Sequence, residues 1–368
     1  MEKEKFNIDV KELEQMKEKS EKFWKVINQC KFTTHDEKDK AASELGIAPT
    51  PKGLVYQEGT MKLYSYFPKV KPDKKIPPVL IVPSLINKNY ILDLVNGFSL
   101  IEFLTLKGVR VYIIDWGTAG EEHGELTIDN YITGYIRRCV KKMSRHSEEK
   151  KYILLGQCIG GILTTIYSAL FSDDKNLISH VAMTTPVNFE NGGKLKEWTN
   201  PETFNLDKVV NSYRENGAIP PEILHAGFQF LDLNLTFTKY RNLFNFVDNE
   251  AFVKLYRALD FWGNDNIPFP VMVFKKFIKA FYQQNQLIRG ELIIDDKYVN
   301  LCDIKIPFFN ILASNDHVFP KEAAIEWKQI MAPHKGDVEK VYDGGHVSIV
   351  AALPVRLQLY NDIYEFIK

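Results

Sequence analysis

Cys158 stands in Gly156-Gln157-Cys158-Ile159-Gly160-Gly161, after the apolar run Tyr152 to Leu155 and before Ile162 to Leu170. That order reads as strand, sharp turn, helix: a nucleophile elbow with cysteine in the serine place. The chain must reverse within a few residues, and a larger side chain at Gly156, Gly160 or Gly161 would collide with the neighbouring strand or helix. The helix that follows points its N-terminal amides at the sulfur, a setting that suits a nucleophilic thiolate and leaves the Ile159 N–H as an oxyanion donor. A lone buried cysteine is more often a small apolar residue in a packed core. The flanking glycines, strand and helix are what set this one apart.

Acyl transfer needs a base to take and return protons, and a group that orients the base. In hydrolase-type sheets the chain order is nucleophile, acid, histidine. Asp316 follows the apolar run Phe308 to Leu312, and His346 follows Val338 to Tyr342 in Asp343-Gly344-Gly345-His346, at a tight turn into an expected apolar helix, Val347 to Leu353. Cys158, Asp316 and His346 therefore satisfy the order, each at the C-terminal end of a strand, where such sites form. Asp303 and Asp343 compete with Asp316, because sequence separation does not say which carboxylate reaches the imidazole. Asp316 leads, since it follows the penultimate strand, and Asp343 suits a turn. His317 is expected to hold the Asp316 loop, with a minor role near the substrate as the alternative. His35, His123, His146, His180, His225 and His334 lie in no comparable context. A second oxyanion donor is expected after Val79 to Val82, in Pro83-Ser84-Leu85-Ile86-Asn87, with the Ile86 N–H as the candidate. Asp115-Trp116-Gly117 is given no chemistry.

The elements that must position these groups follow from the hydropathy pattern. Lys62 to Phe67, Val79 to Val82, Val109 to Ile114, Tyr152 to Leu155, Ile178 to Met183, Phe308 to Leu312 and Val338 to Tyr342 are short apolar runs. Separated by helical stretches, they predict an α/β fold of the α/β-hydrolase type, a mainly parallel sheet with flanking helices. Val79 to Val82 and Val109 to Ile114 are nearly continuous, as in strands buried on both faces. Residues 187–303 interrupt the pattern and are expected as a helical cap insertion in a catalytic domain spanning 51–368. Twelve of the 24 phenylalanines fall between Phe204 and Phe281, enough for a small core of the cap's own or for a wall that excludes water. Residues 1–50 are expected to hold one amphipathic helix, with Val10, Leu13, Met16, Phe23, Trp24 and Ile27 near helical spacing, which packs on the main domain or docks a partner.

Lys plus Arg and Asp plus Glu are both 47 in 368 residues, so no basic excess argues for nucleic acid. Zero net charge lowers the barrier to self-association. No apolar span is long enough to cross a bilayer and the mostly charged Met1 to Lys19 has no signal-peptide core, which together predict a soluble, cytoplasmic protein. Cys30, Cys139, Cys158 and Cys302 form no CxxC pair, so neither a disulfide framework nor a structural metal site is expected.

Cysteine in place of serine has a chemical consequence. A thiolate attacking a thioester exchanges one thioester for another, so the acyl group stays activated, which favours transfer from an acyl-thiol carrier while leaving hydrolysis open. The chain resembles the short, two-component polyhydroxyalkanoate (PHA) synthases, in their PhaC catalytic subunit (class III or class IV). The resemblance rests on Val82-Pro83-Ser84-Leu85-Ile86-Asn87-Lys88-Asn89-Tyr90-Ile91-Leu92-Asp93-Leu94, Ile114-Asp115-Trp116-Gly117, Leu155-Gly156-Gln157-Cys158-Ile159-Gly160-Gly161, Thr185-Pro186-Val187-Asn188-Phe189, Phe261-Trp262-Gly263-Asn264-Asp265 and Gly344-Gly345-His346-Val347. It runs from about residue 50 to the end; the elbow alone would also fit dienelactone-type hydrolases.

The resemblance implies polymerisation of 3-hydroxyacyl-CoA, short-chain in the first instance (3-hydroxybutyryl-CoA), with release of CoA. Cys158 would carry the growing chain, His346 would deprotonate the thiol or the incoming 3-hydroxyl, and Asp316 would orient His346 or assist with the hydroxyl. Trp262 matches a family tryptophan near the cap and dimer contacts. No cofactor is implied, the CoA thioester being substrate and CoA product. The implied partners are an accessory subunit of the PhaE type, or of the PhaR type, and a second catalytic subunit, at the surface of PHA granules. Ser84, where the family usually has a second proline, and Asn188, where it often has aspartate, depart from the pattern and bear on substrate range. The rival readings are a cysteine hydrolase of thioesters, lactones or stored polyester, and a non-catalytic granule scaffold. The ordered triad disfavours the scaffold, and the large cap with the Ile86 to Leu94 block disfavours the hydrolase.

Overall fold

The computed structural model of the chain describes residues 10–325, 327–351 and 355–368. Two helices come first, α1 (Val10–Gln29) and α2 (His35–Leu45). The strands that follow are β1 (Lys52–Glu58), β2 (Met61–Tyr66), β3 (Val79–Val82), β4 (Val111–Asp115), β5 (Tyr152–Gln157), β6 (Leu177–Met183), β7 (Phe308–Ala313) and β8 (Val338–Tyr342). They form one 8-stranded sheet in the order β1-β2-β4-β3-β5-β6-β7-β8. From β4 to β8 every pairing is parallel, and β1 and β2 join antiparallel at one edge. Helices α3 (Leu100–Leu106), α4 (Arg137–Ser147) and α5 (Ile159–Leu170) connect the central strands. Between β6 and β7 lie α6 (Leu206–Tyr213), α7 (Pro221–Leu231), α8 (Leu233–Phe246) and α9 (Glu250–Gly263), and α10 (Val355–Ile367) closes the chain.

The sheet is buried on both faces because its strands alternate between two cores. Leu80, Val82, Tyr112, Ile114 and Leu154 point to one, with Cys139 and Met143 of α4 and Ile162 and Ile166 of α5. Val79, Ile81, Val111, Ile113 and Ile153 point to the other, with Leu100 and Leu104 of α3 and Leu359 and Ile363 of α10. Successive residues of one strand serve opposite faces, so both faces demand apolar residues and the runs read as continuous.

Three differences from the sequence reading have local causes. The strand expected from Val109 begins at Val111, because the Val109 amide donates to Leu104 O at 3.0 Å in the turn that ends α3. Strand β1 escaped notice, since Lys52–Glu58 is a half-exposed edge with no buried run. The N-terminal segment holds two helices rather than one: Thr34 caps α2, accepting from the Glu37 amide while the Glu37 carboxylate reaches back to the Thr34 amide, and this restarts the helix after a break. The helix expected over Val347 to Leu353 is present over Ser348–Ala351, and Leu353 lies outside the described residues.

The chain between β6 and β7 folds over the C-terminal edge of the sheet. The Ile267 amide donates to Ile86 O at 2.9 Å, Asn87 and Asn266 are hydrogen-bonded through their side chains, and Phe269–Pro270 pairs with Ala218–Ile219. The N-terminal helices pack on this inserted chain: Val26 of α1 meets Leu243, Val247 and Tyr256, and Ala41 and Leu45 of α2 meet Phe261. Among the described residues no helix is long and apolar enough to cross a membrane.

Candidate active site

Strand β5 ends, the chain turns, and α5 begins with Cys158 as its cap residue, at φ 57° and ψ −125°. A non-glycine residue at positive φ is strained, and the surroundings must hold it there. They do so by close approach. A Cβ on Gly160 would lie 2.0 Å from Val82 O, and one on Gly161 1.8 Å from Thr185 Oγ1, so α5 sits against β3 and the end of β6 with no room for a methyl group. The Cys158 amide donates to Met183 O at 2.9 Å, which ties the turn to the neighbouring strand. Cys158 is nearly buried, at 8% exposure. The Ile159 amide is the first of α5 and belongs to the turn whose N–H groups have no partner within the helix.

Asp316 and His346 come from the loops after β7 and β8, adjacent parallel strands. His346 Nδ1 and Asp316 Oδ2 are 2.7 Å apart, the ring N–H donating to the carboxylate, and both residues are buried. Asp316 Oδ1 accepts from the Val318 and Phe319 amides at 2.9 and 2.8 Å, which fixes the carboxylate. The Phe319 ring lies edge-on to the imidazole at 5.5 Å. Cys158 and His346 line one cavity, and the Cys158 thiol is, after Asp316, the group that favours a proton on the imidazole. Burial by itself would lower the affinity of His346 for a proton. The Asp316 carboxylate, and then Cys158, more than reverse this, and the imidazole is held well above its ordinary pKa. His346 and Asp316 thus form a hydrogen-bonded base and orienting acid beside the Cys158 nucleophile, a set capable of nucleophilic acyl transfer.

Of the aspartates weighed against Asp316, Asp343 accepts from Ser314 Oγ at 3.1 Å and braces the two loops, while Asp303 is hydrogen-bonded to Asn300 in a separate turn. His317 lines the same cavity as Cys158 and His346, and burial holds its pKa below the ordinary value. The Ile86 amide, expected as the second oxyanion donor, already donates to Ser84 Oγ at 3.3 Å, so it would have to exchange that bond for the oxyanion. Trp262, expected near cap and dimer contacts, is buried at the site: its Nε1–H donates to Lys88 O at 2.8 Å and its ring walls the cavity beside Cys158. Asp115 makes a local turn with the Gly117 amide, but Trp116 Nε1–H holds Pro83 O at 3.1 Å and so steadies the loop of Ser84 and Ile86.

The cavity over the sulfur measures about 480 Å³, and Phe228, Leu235, Trp262, Val318 and Val347 give it apolar walls. His225 and Gln229, one turn apart on α7, also face it; their i, i+4 spacing was the available signal, and the distance along the chain from Cys158 hid it. Tyr282 is a further residue that aromatic density alone did not single out. Its hydroxyl is wholly buried and has no hydrogen-bond partner among the described residues, and burial with the nearby Cys158 and Asp316 pushes its pKa well up.

Residues 77–351 match the family model "alpha/beta hydrolase fold", and residues 14–104 match "Poly-beta-hydroxybutyrate polymerase (PhaC) N-terminus". The chain is 34% identical over 312 residues to a poly(3-hydroxyalkanoate) polymerase subunit PhaC of Allochromatium vinosum, covering 84% of this chain and 85% of that one. It is 33% identical over 318 residues to the corresponding subunit of Haloferax mediterranei, covering 86% of this chain but spanning only 64% of the longer relative. Among solved structures, an α/β-hydrolase fold protein from Chitinophaga pinensis superposes with a TM-score of 0.50 at 14% identity, over 87% of this chain and 98% of that one, a likeness of fold alone. On the α/β-hydrolase sheet, the N-terminal family match and the identity to full-length relatives together, the chain belongs to the PhaC family of poly(3-hydroxyalkanoate) polymerase subunits.

Proposed function

We propose that this chain polymerises (R)-3-hydroxyacyl-CoA, 3-hydroxybutyryl-CoA in the first instance, into polyhydroxyalkanoate with release of CoA. The observation that carries the reading is the hydrogen-bonded His346–Asp316 pair, with His346 lining one apolar cavity together with Cys158, in a chain of the PhaC family. Its proton passing to His346, the Cys158 sulfur attacks the thioester carbonyl, and the tetrahedral oxyanion is met by the Ile159 amide. The C–S bond to CoA breaks, and the CoA sulfur takes a proton from His346. In elongation His346 accepts the 3-hydroxyl proton of an incoming monomer as that oxygen attacks the Cys158 thioester. A new ester forms and the Cys158 sulfur recovers the proton. The extended chain, still a CoA thioester, returns to Cys158 with loss of one CoA. Asp316 keeps the imidazole in the right tautomer and stabilises its protonated form at each exchange. Neutral His317 faces the same space as an auxiliary polar group, and Trp262 shapes it. No cofactor enters this scheme.

In the same reading residues 1–50 form an N-terminal helical segment and 51–368 the catalytic domain, with 187–303 as its cap. An accessory subunit of the PhaE type (or PhaR type), a second catalytic subunit and the granule surface are the partners, in the cytoplasm. Supporting them are large apolar side chains left in water on α1, α7 and α8: Met16 at 59%, Phe230 at 61% and Phe237 at 69% exposure. The test supplies 3-hydroxybutyryl-CoA to the purified chain, with and without a candidate accessory subunit, while free CoA and insoluble polyester are both measured. Polymer with stoichiometric CoA is expected, and Cys158→Ala should yield neither. CoA release with only monomeric free acid would overturn the polymerase reading, and undiminished polymer from Cys158→Ala would overturn the nucleophile.

A further inference from the structure

A second cavity, about 540 Å³, opens where the N-terminal helices meet the inserted chain. It shares His225, Gln229 and Gly263 with the cavity over Cys158, so the two chambers are neighbours with a common wall. Their linings differ in chemistry. The inner chamber is walled by Phe228, Leu235, Trp262 and Val347, whereas the outer one carries Lys31, Lys38, Lys239, Asp260 and Asn264. Three lysines against one aspartate leave the outer lining cationic. Lys38 is held by Asp265 at 2.6 Å, and Lys239 is paired with Asp260. Lys31, by contrast, meets only Asn28 Oδ1, at 3.4 Å, and no carboxylate among the described residues pairs with it. Phe32 and Tyr240 add aromatic faces to the same lining, Tyr240 being 43% exposed.

An apolar chamber at a nucleophilic sulfur, set against a cationic and aromatic one along His225, Gln229 and Gly263, matches a ligand with a reactive thioester at one end and a phosphorylated purine at the other. We propose that the outer cavity receives the nucleotide end of the CoA thioester, with Lys31 placed for its phosphates and Tyr240 and Phe32 for its adenine ring. The proposal rests on the acyl-CoA reading of the site and adds where the carrier is held. It gives α1, α2 and the loop joining them a part in substrate binding, since Lys31 and Phe32 lie in that loop and Lys38 in α2. A lysine beside phosphate acts as a point charge, and an adenine stacks on an aromatic face without needing a particular edge.

Binding of CoA and of pantetheine, which lacks the nucleotide, should be measured calorimetrically on the full chain. Wild type is expected to bind CoA at least about tenfold more tightly than pantetheine, a difference of roughly 1.4 kcal/mol. Lys31→Glu, at an exposed position that leaves the core intact, should weaken CoA binding about fivefold to tenfold and leave pantetheine unchanged, since charge reversal acts only on the phosphates. Tyr240→Ala should reduce the same preference. Equal affinity of wild type for CoA and pantetheine, or CoA binding unaltered in both variants, would overturn the proposal. A wild-type chain that keeps the nucleotide preference yet, with the accessory subunit present, turns 3-hydroxybutyryl-CoA into monomeric free acid alone would overturn the polymerase reading and leave this binding site standing.

Discussion

Three side chains from three loops carry the proposed chemistry, and Asp316 shows how much of it is electrostatic. Its Oδ1 is held by two backbone amides and its Oδ2 accepts the His346 ring N–H, so the carboxylate has little freedom to leave the imidazole. Asp316→Asn keeps the size but removes the charge, and should lower the rate of CoA release roughly 10²–10⁴-fold with little change in KM. Its effect on stability should depend on pH. The folded-state pKa of His346 is raised, so the stability it contributes is fully present below the ordinary imidazole value of about 6.5 and is lost as pH climbs through the raised value. Asp316 is the chief cause of that rise against burial. Urea midpoints of wild type and Asp316→Asn should therefore lie far apart near about pH 6 and draw together in alkali. A gap that widens with pH would mean that His346 is neutral in the fold.

The elbow is a property of elements packed closer than side chains allow. Helix α5 starts against the Val82 carbonyl, and the position of Gly160 is set by that contact rather than by any turn preference of its own. Gly160→Ala would place a methyl carbon 2.0 Å from backbone that cannot swing aside, so α5 or β3 must shift. We expect a loss of about 3 kcal/mol or more in urea unfolding, and loss of CoA release even where the variant folds, because the Cys158 strain depends on the same packing. Activity equal to wild type would show that the elbow tolerates displacement. His180, set aside on sequence, supports the same helix. It is wholly buried, its Nε2 lies 2.8 Å from Thr164 Oγ1, and burial holds its pKa down to about 3, so it is a neutral brace between β6 and α5 rather than a reacting group.

On the scale of the whole molecule, the N-terminal helices belong to the inserted chain more than to the sheet. Phe261 at the end of α9 is the hinge of that packing: 4% exposed, it meets Ala41 and Leu45 of α2, with the Phe32 ring 5.5 Å away. Phe261→Ala should cost about 3–5 kcal/mol locally and raise amide hydrogen exchange across His35–Leu45, while exchange in β5 stays slow. Uniformly faster exchange would instead mean that the helices and sheet unfold as one unit.

Much of this was legible in the residues themselves, because strong local patterns survive folding. The runs at Val79–Val82 and Val338–Tyr342 coincide with strands residue for residue, and Cys158 among its glycines announced a turn that tight packing later required. The order Cys158, Asp316, His346 could likewise be read along the chain. Only the tertiary structure decided which carboxylate meets His346, since Asp303, Asp316 and Asp343 differ in where adjacent strands deliver them and not in type. It alone turned the Ile86 amide toward Ser84 and buried Trp262 beside the sulfur. It also brought Lys31 and Tyr240 to one cavity that meets the catalytic chamber at His225. Periodicity is a local consequence of burial and is written in the sequence; a meeting of residues two hundred positions apart depends on strand order and helix packing, which no short stretch of chain encodes.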